Sequence, residues 1–325
     1  MVTAVGSLRF LQPVTRELVH RSSVAEVFLT DGVRVGDQGF VVAAQWPRDH
    51  ALYHPDENGL SDPLLFAETL RQGMVYVAHQ HRGVPLGTRF VFRSLDFEVT
   101  DQVPLRVRGV PLPVLLEGEW AWDGDGPRGR TGARTDVRLV VGGRVCGRGS
   151  ASMLMVDDRR YGMLRELTGA EGPEPEVTGT LLVPPHRVGR LRWRDCVLER
   201  GCGVDGAWWL RVDRDHAVLF DHPTDHIPLM VMLEGFRQLG HLTVHEADAG
   251  GPAFALARAT VGCFAFGEFH RPTRLVVEQY APGGTEREMS GLTVAAVQGD
   301  TVLARAETSW VRVGSRAPGE SGASW

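Results

Sequence analysis

Glu68, Arg71 and Gln72 form one polar cluster in this 325-residue chain, and Glu234, Arg237 and Gln238 form a second with the same spacing. On a helix, positions i, i+3 and i+4 share a face, so each cluster sets a carboxylate, a guanidinium and an amide side by side. His79 extends the first stripe, and His241 and His245 extend the second. Unpaired ions on an enclosed helix face would each cost on the order of several kcal/mol. The stripes therefore predict either internal ion pairs that fix helix orientation or a bound ligand.

These clusters belong to a wider duplication. Eleven residues recur at a fixed offset of 166 positions: His20, Arg21, Arg34, Arg48, Asp49, His50, Ala51, Glu68, Arg71, Gln72 and His79 return as His186, Arg187, Arg200, Arg214, Asp215, His216, Ala217, Glu234, Arg237, Gln238 and His245. Many apolar residues fill a core about equally well, so a duplicated fold usually keeps its hydrophobic pattern and lets polar surface drift. Here polar identity has survived, clustered in R-D-H-A and E-x-x-R-Q, which marks a duplicated site rather than coincidence.

The elements around the clusters follow one order in each half. Alternating segments such as VAEVFLTD and GFVVAAQW read as strands. A loop rich in Pro, His, Asp and Gly follows, then a helix, from about Ser61 to His81 in the first half and from about Asp225 to His245 in the second. Pro63 and Pro228 stand early in these helices, where a missing N–H costs nothing. Alternation then resumes through TRFVFRSLDFEVT, PLRVRGV, ARTDVRLVVGG and RVCGRGSASMLMV, with FALARATVGCFAFGEF, TRLVVEQYAP, EMSGLTVAAVQG and TVLARAETSWVRV in the second half. One long helix with several long antiparallel strands is an α+β pattern in which each sheet wraps a central helix, the halves being related by a pseudo-twofold. The expected domains are residues 1–168 and 177–313, joined by the acidic linker 169–176 and followed by a disordered tail, 314–325.

Composition narrows the chemistry. All 35 basic residues are arginine, so no lysine Schiff base can form, and pyridoxal phosphate chemistry is excluded with it. Carbonyl activation must come from hydrogen bonds, helix ends or arginine. A net charge of -5 argues against general nucleic-acid binding. The sequence has neither a membrane-length apolar run nor a signal-peptide start, and this points to the cytoplasm. Cys146, Cys196, Cys202 and Cys263 lack metal or disulfide spacing and read as packing residues. His186, Arg187, Arg190, Arg192 and Arg194 make a local basic cluster, read as a solvated strand face or as a docking patch for an acidic carrier protein or a phosphate.

The second half carries the sharper local signal, His222-Pro223-x-x-His226-x-Pro228 followed by Glu234 and Gln238. It resembles the hotdog-fold 3-hydroxyacyl carrier-protein dehydratases, whose His-Pro loop leads into a central helix with Glu and, four residues on, Gln. The spacing from His222 to Glu234 is shorter than in that family and Arg237 is foreign to it. The likeness therefore speaks for the fold and an acyl-thioester substrate rather than for dehydration.

Over its whole length the chain resembles the A-factor biosynthesis family of γ-butyrolactone signal synthases, built from tandem hotdog domains. The matching stretches are V-H-R from Val19, E-V-F-L-T-D from Glu26, A-Q-W-P-R-x-H from Ala44, D-P-x-L-x-x-E-x-x-R-Q from Asp62 and D-H-x-P followed by E-x-x-R-Q from Asp225. The resemblance implies an acyltransferase that needs no cofactor or metal. It would move a β-ketoacyl group from an acyl carrier protein thioester to the hydroxyl of dihydroxyacetone phosphate, and the ester would then close to a butenolide precursor of a signalling molecule. It implies Glu68, Glu234 and Arg237 as catalytic, with Arg71, Gln72, Gln238, His216, His222, His226 and His50 around the substrates. Either carboxylate, with a pKa raised by partial burial, would suit the role of general base. Backbone N–H groups at a helix N-terminus, near Asp62 to Leu64 or Asp225 to Pro228, would polarise the thioester carbonyl. The second half is expected to bear most of the chemistry, within a monomeric pseudo-dimer or a homodimer.

Three rivals remain open at this point. His222 with His226, or His241 with His245, could hold a metal, although neither pair has an adjacent third ligand. A dehydratase or thioesterase of the same fold would need only water as co-substrate. A non-catalytic acyl or butenolide sensor would usually carry a DNA-reading module, and no helix-turn-helix stretch is visible.

Overall fold

The computed structural model describes residues 6–124, 131–168, 177, 179–203, 206–248, 253–283 and 289–313. The expected linker 169–176 and tail 314–325 lie outside the described residues.

In the first half, β1 (Leu29–Val35) and β2 (Gly39–Trp46) form a hairpin and α1 (Leu64–Arg82) follows. Then come β3 (Arg89–Val99), β4 (Leu112–Asp123), β5 (Gly132–Val141) and β6 (Arg144–Val156). A short helix, α2 (Asp158–Leu167), leads into the second half. There the order returns as β7 (Thr180–Leu182), β8 (Leu198–Gly201), β9 (Trp208–Leu210), α3 (Leu229–Ala247), β10 (Phe254–Cys263), β11 (Thr273–Ala281), β12 (Ser290–Gln298) and β13 (Thr301–Arg312).

All these strands join one 13-stranded sheet in the order β1-β2-β4-β5-β6-β3-β10-β13-β12-β11-β9-β8-β7. From the centre outward, β3, β6, β5, β4, β2 and β1 match β10, β13, β12, β11, β9 and β8, so the pseudo-twofold lies where β3 pairs antiparallel with β10, Asp96 opposite Thr260. Only β7 has no counterpart among the described strands.

Each long helix lies on its own half-sheet. α1 touches β1 and β2 as well as β3 and β6, strands from opposite ends of the half-sheet, so that sheet must curl around it. Its interior is buried nearly all round from Leu64 to Ala78, the signature of a core helix rather than a surface one. Asp62 caps the start, its Oδ1 accepting from Leu64 N at 2.8 Å, and Gly83 closes the end in the left-handed region at φ 71°. In α3, Gly240 gives up about 1 kcal/mol of helix propensity. In exchange it lets the Trp310 indole of β13 pack against the backbone, where an added Cβ would lie 2.5 Å from the ring.

Several elements depart from the sequence expectation. The helices start at Leu64 and Leu229, later than expected. PLRVRGV is no strand: its first two residues end the 3-10 turn Val103–Leu105 and Arg106 makes an isolated bridge, and the missing strand is β4. The basic stretch 186–194 is no strand but part of two 3-10 turns, Pro185–Val188 and Trp193–Asp195. Cys146 and Cys196 are buried as expected of packing residues, whereas Cys202 is exposed.

Candidate functional site

Glu68 is fully buried on α1 and is gripped by two guanidiniums. Arg71 donates from Nε to Oε2 at 2.9 Å and from Nη2 to Oε1 at 2.8 Å, while Arg21 reaches in from the turn before β1, Nη2 to Oε1 at 2.5 Å. Burial alone would raise the Glu68 carboxyl, but Arg21 and Arg71 outweigh it and hold it down at about 2. This reverses the expected raised pKa. With both oxygens already accepting from Arg21, Arg71 and Gln72, this carboxylate serves as an anchor for arginines.

The second half repeats the arrangement. Glu234 receives Arg190 Nε at 2.8 Å and Nη2 at 2.5 Å, and Arg237 Nε at 3.1 Å. Burial is again overcome, here by Arg190 and Arg237, and Glu234 is held at about 2. The counterpart of Arg21 is therefore Arg190, three positions beyond the Arg187 that the constant offset selects. The slip arises in the hairpin: Leu29 pairs with Ala44, whereas its counterpart Leu198 pairs with Leu210 across a shorter connection. Arg187 itself is at the surface, paired with Glu246.

The amides and two histidines of the repeat face the protein. Gln72 donates to Glu26 O at 2.8 Å and Glu68 Oε1 at 2.7 Å while accepting from Phe28 N, and Gln238 makes the same set with Asp195 O, Glu234 Oε1 and Val197 N. Both hydrogens of each amide are thus engaged. His50 accepts from Leu52 N and Tyr53 N through Nδ1 and turns Nε2 to within 3.3 Å of Glu26. His216 repeats this with Val218 N, Leu219 N and Asp195. These four residues brace the 3-10 turns Val24–Glu26 and Trp193–Asp195, which follow Arg21 and Arg190 in the chain.

Each cluster adjoins a cavity that both halves line. The first, about 350 Å³, is lined by Arg21 and Arg71, by His20 and Arg93, and from the second half by His222, His226 and the start of α3. The other, about 560 Å³, is lined by Arg190, Arg237, His241 and His245 together with the start of α1. Glu68 and Glu234 therefore serve different cavities. His222 and His226 join the Glu68 cavity, so the His-Pro loop of one half completes the helix stripe of the other.

The cavities differ in charge and in their helix ends. No carboxylate lines the first, among the described residues, whereas Asp56, Glu57 and Asp62 line the second. Asp62 there accepts from Arg190 Nη1 at 2.6 Å and caps Leu64 N, so a carboxylate occupies the N-terminus of α1. Pro228 stands at the equivalent position of α3 and offers no side-chain cap. Val231 and Met232 N–H bond back to Pro228 O, and the N–H groups of Leu229 and Met230 make no hydrogen bond to the described residues. Arg71 Nη1 is likewise without a partner there.

The histidines of the first cavity are held neutral. Burial, then Arg71, lowers His20 to about 3, and the same two causes lower His222 to about 4. His226 is lowered by burial despite Asp225, 2.8 Å from its Nδ1, and Tyr161 closes that corner by donating to Asp225 at 2.6 Å. Cys263 lines the same cavity, but burial pushes its thiol up to about 12, far from a thiolate nucleophile. In the other cavity His241 and His245 stack at 3.9 Å and spend their Nδ1 atoms on backbone carbonyls. Among the described residues no group of three or more His, Cys, Asp or Glu could hold a metal ion. Neither Arg21, Arg190 nor His20 was among the expected site residues, although the V-H-R motif contained two of them.

The A-factor biosynthesis hotdog domain profile matches residues 2–157 and again 174–314. A 2-oxo-3-(phosphooxy)propyl 3-oxoalkanoate synthase from Streptomyces griseus is 34% identical over 316 residues, covering 95% of this chain and 98% of its own. A protein of the same name from Streptomyces virginiae is 40% identical over 231 residues, 69% of this chain and 75% of its own. Among solved structures, an acyl-ACP thioesterase from Bacteroides thetaiotaomicron VPI-5482 aligns with a TM-score of 0.47 and 12% identity, covering 83% of this chain and 97% of that one. With two profile matches in tandem, the chain is a double hotdog and belongs to the A-factor biosynthesis family.

Proposed function

We propose that this chain is an acyltransferase that joins a β-ketoacyl group, delivered as an acyl carrier protein thioester, to the hydroxyl of dihydroxyacetone phosphate. Transfer takes place in the cavity beside Glu68. The name shared by the Streptomyces relatives describes such a phosphorylated keto ester. The observation that carries the reading is the pairing, in one cavity, of a carboxylate-free arginine wall with an uncapped helix N-terminus.

Arg71 uses Nε and Nη2 on Glu68 and keeps Nη1 for the phosphate, with Arg21 beside it. Glu68 is the anchor that aims both. The N–H groups of Leu229 and Met230, at the positive end of α3, polarise the thioester carbonyl and hold the oxyanion that forms when the hydroxyl attacks. Phe90, Leu154, Met232 and Phe264 offer the acyl chain an apolar wall. With Cys263 kept as a thiol, transfer is direct, without an acyl-enzyme. The ester then closes to a butenolide by intramolecular condensation.

His222 and His226 border the substrate, whereas Gln72, Gln238, His50 and His216 act through the turns they brace. Glu234 and Arg237 position rather than react: Arg237 braces Glu234, and Glu234 holds Arg190, which ties α3 to Leu52 and Asp62 of the first half. Exposed Arg159 and Arg160 stand on α2, whose Leu164 lines the cavity, and they suit an acidic carrier protein. One chain supplies both halves of the site, so the working unit is a monomeric pseudo-dimer. No described helix is long and apolar enough to cross a membrane.

The test is the acceptor dependence of thiol release from a β-ketoacyl thioester. Release should require dihydroxyacetone phosphate and respond far less to unphosphorylated dihydroxyacetone; release at the same rate into water alone would make the chain a thioesterase.

A further inference from the structure

His20 ends the 3-10 turn Arg16–Val19 at φ 51° and ψ 59°, and among the described residues it is the only non-glycine with positive φ. Its counterpart in the second half is Gly189, at φ 60°. The left-handed region suits glycine and strains an ordinary side chain, so contacts must hold this ring in place. Phe90 packs edge-on at 4.9 Å, and His20 Nε2 lies 3.0 Å from Nε2 of His79.

That contact, together with the next one, assigns the tautomers. His79 Nδ1 is 2.8 Å from Val84 O, and a carbonyl oxygen only accepts, so Nδ1 carries the hydrogen. In a neutral pair, His79 Nε2 is then a bare acceptor and His20 Nε2–H must be its donor. This leaves His20 Nδ1 with a lone pair and no hydrogen bond to the described residues, on a ring that lines the arginine-walled cavity. In the second half a Cβ at Gly189 would lie 2.8 Å from His241 Nε2, which leaves no room for such a ring.

We propose that His20 is the general base of the acyl transfer, accepting the acceptor hydroxyl's proton at Nδ1 while His79 fixes its tautomer. This rests on the transferase reading above. As the hydroxyl oxygen bonds to the thioester carbonyl carbon, its proton moves to His20. When the tetrahedral oxyanion collapses and the C–S bond breaks, His20 returns that proton to the departing thiolate, giving ester and free thiol.

The groups facing His20 are Arg71 and His79 on α1, His222 before α3, and Arg89 on β3. Burial is the largest influence that keeps the ring neutral, and the positive charge of Arg71 comes next. A phosphate dianion seated on Arg71 offsets that charge and raises the ring toward its ordinary basicity. Acceptor binding thus strengthens the base, which favours a phosphorylated acceptor over water.

His20→Gly tests this, because it copies the backbone choice of Gly189 and should keep or raise Tm. Expected are a fall in kcat of about 10²- to 10⁴-fold, little change in KM for dihydroxyacetone phosphate, and partial rescue by added imidazole. The acid limb of the kcat profile should vanish, and nitrogen-15 histidine spectra of the wild type should show His20 protonated at Nε2 and bare at Nδ1. An unchanged kcat, or a loss that imidazole does not restore, overturns the role of His20 while leaving the transferase reading intact. Wild-type protein that forms no phosphorylated ester overturns both.

Discussion

Arg190 joins Asp62 across the two halves, Nη1 to Oδ2 at 2.6 Å, while its Nη2 holds Glu234 at 2.5 Å. Burial works against the guanidinium's charge, but Glu234 and Asp62 more than restore it, so the ion is fixed. Asp62, held by this arginine, therefore fills in the second cavity the helix end that stays open in the first. Arg190→Met should destabilise the protein by about 3–5 kcal/mol in urea unfolding, because Asp62 is left buried without its ion partner. Adding Asp62→Asn should recover part of the loss.

Pro228→Asp places in α3 the residue that α1 carries at Asp62. The new carboxylate should cap the helix, worth about 1 kcal/mol of stability. It should also occupy the N–H groups meant for the oxyanion, lowering kcat by about 10²- to 10³-fold. Full activity in a well-capped variant would remove α3 from the chemistry.

Arg71→Lys keeps the charge but loses the fork that serves Glu68 and a phosphate together. A lost charge-assisted hydrogen bond of about 1.5–3 kcal/mol should raise KM for dihydroxyacetone phosphate about 10- to 100-fold. The affinity for an unphosphorylated acceptor should hardly change.

The pH dependence of stability follows from groups shifted in one direction. His20, His222 and His241 ionise at about 3, 4 and 3 in the folded protein, against an ordinary 6.5. Below pH 6.5 the unfolded chain binds protons that the folded one refuses, so stability falls with pH from there. Glu68 and Glu234, at about 2 instead of 4.5, continue the loss as pH falls below 4.5 toward 2. The urea midpoint should thus begin to drop near pH 6.5, before the carboxylates titrate. A midpoint flat down to pH 4.5 would contradict the buried neutral histidines.

Much of this was legible in the residues. E-x-x-R-Q on one helix face, Asp62-Pro63 at a helix start and GFVVAAQW as a strand each formed as read, although β2 is buried on both faces from Phe40 to Ala44 rather than alternately. What escaped depends on distance. Only one arginine of each pair that lowers Glu68 and Glu234 is a helix neighbour; the other, Arg21 or Arg190, comes from more than forty residues away, so spacing alone left the carboxylates looking like bases. Arg190 hid behind the three-residue slip, and β4 behind Pro113 and Gly118, residues that resemble a turn until β2 and β5 pair on either side. His20 stood in the repeat and in V-H-R, but its role rests on its φ and its contact with His79, neither of which leaves a sequence signal.

The most direct measurement is the mass and stoichiometry of the product from a β-ketoacyl carrier-protein thioester and dihydroxyacetone phosphate. One phosphorylated keto ester, or its butenolide, should form for each thiol released. Free β-keto acid as the sole acyl product, with dihydroxyacetone phosphate recovered unchanged, would contradict the account.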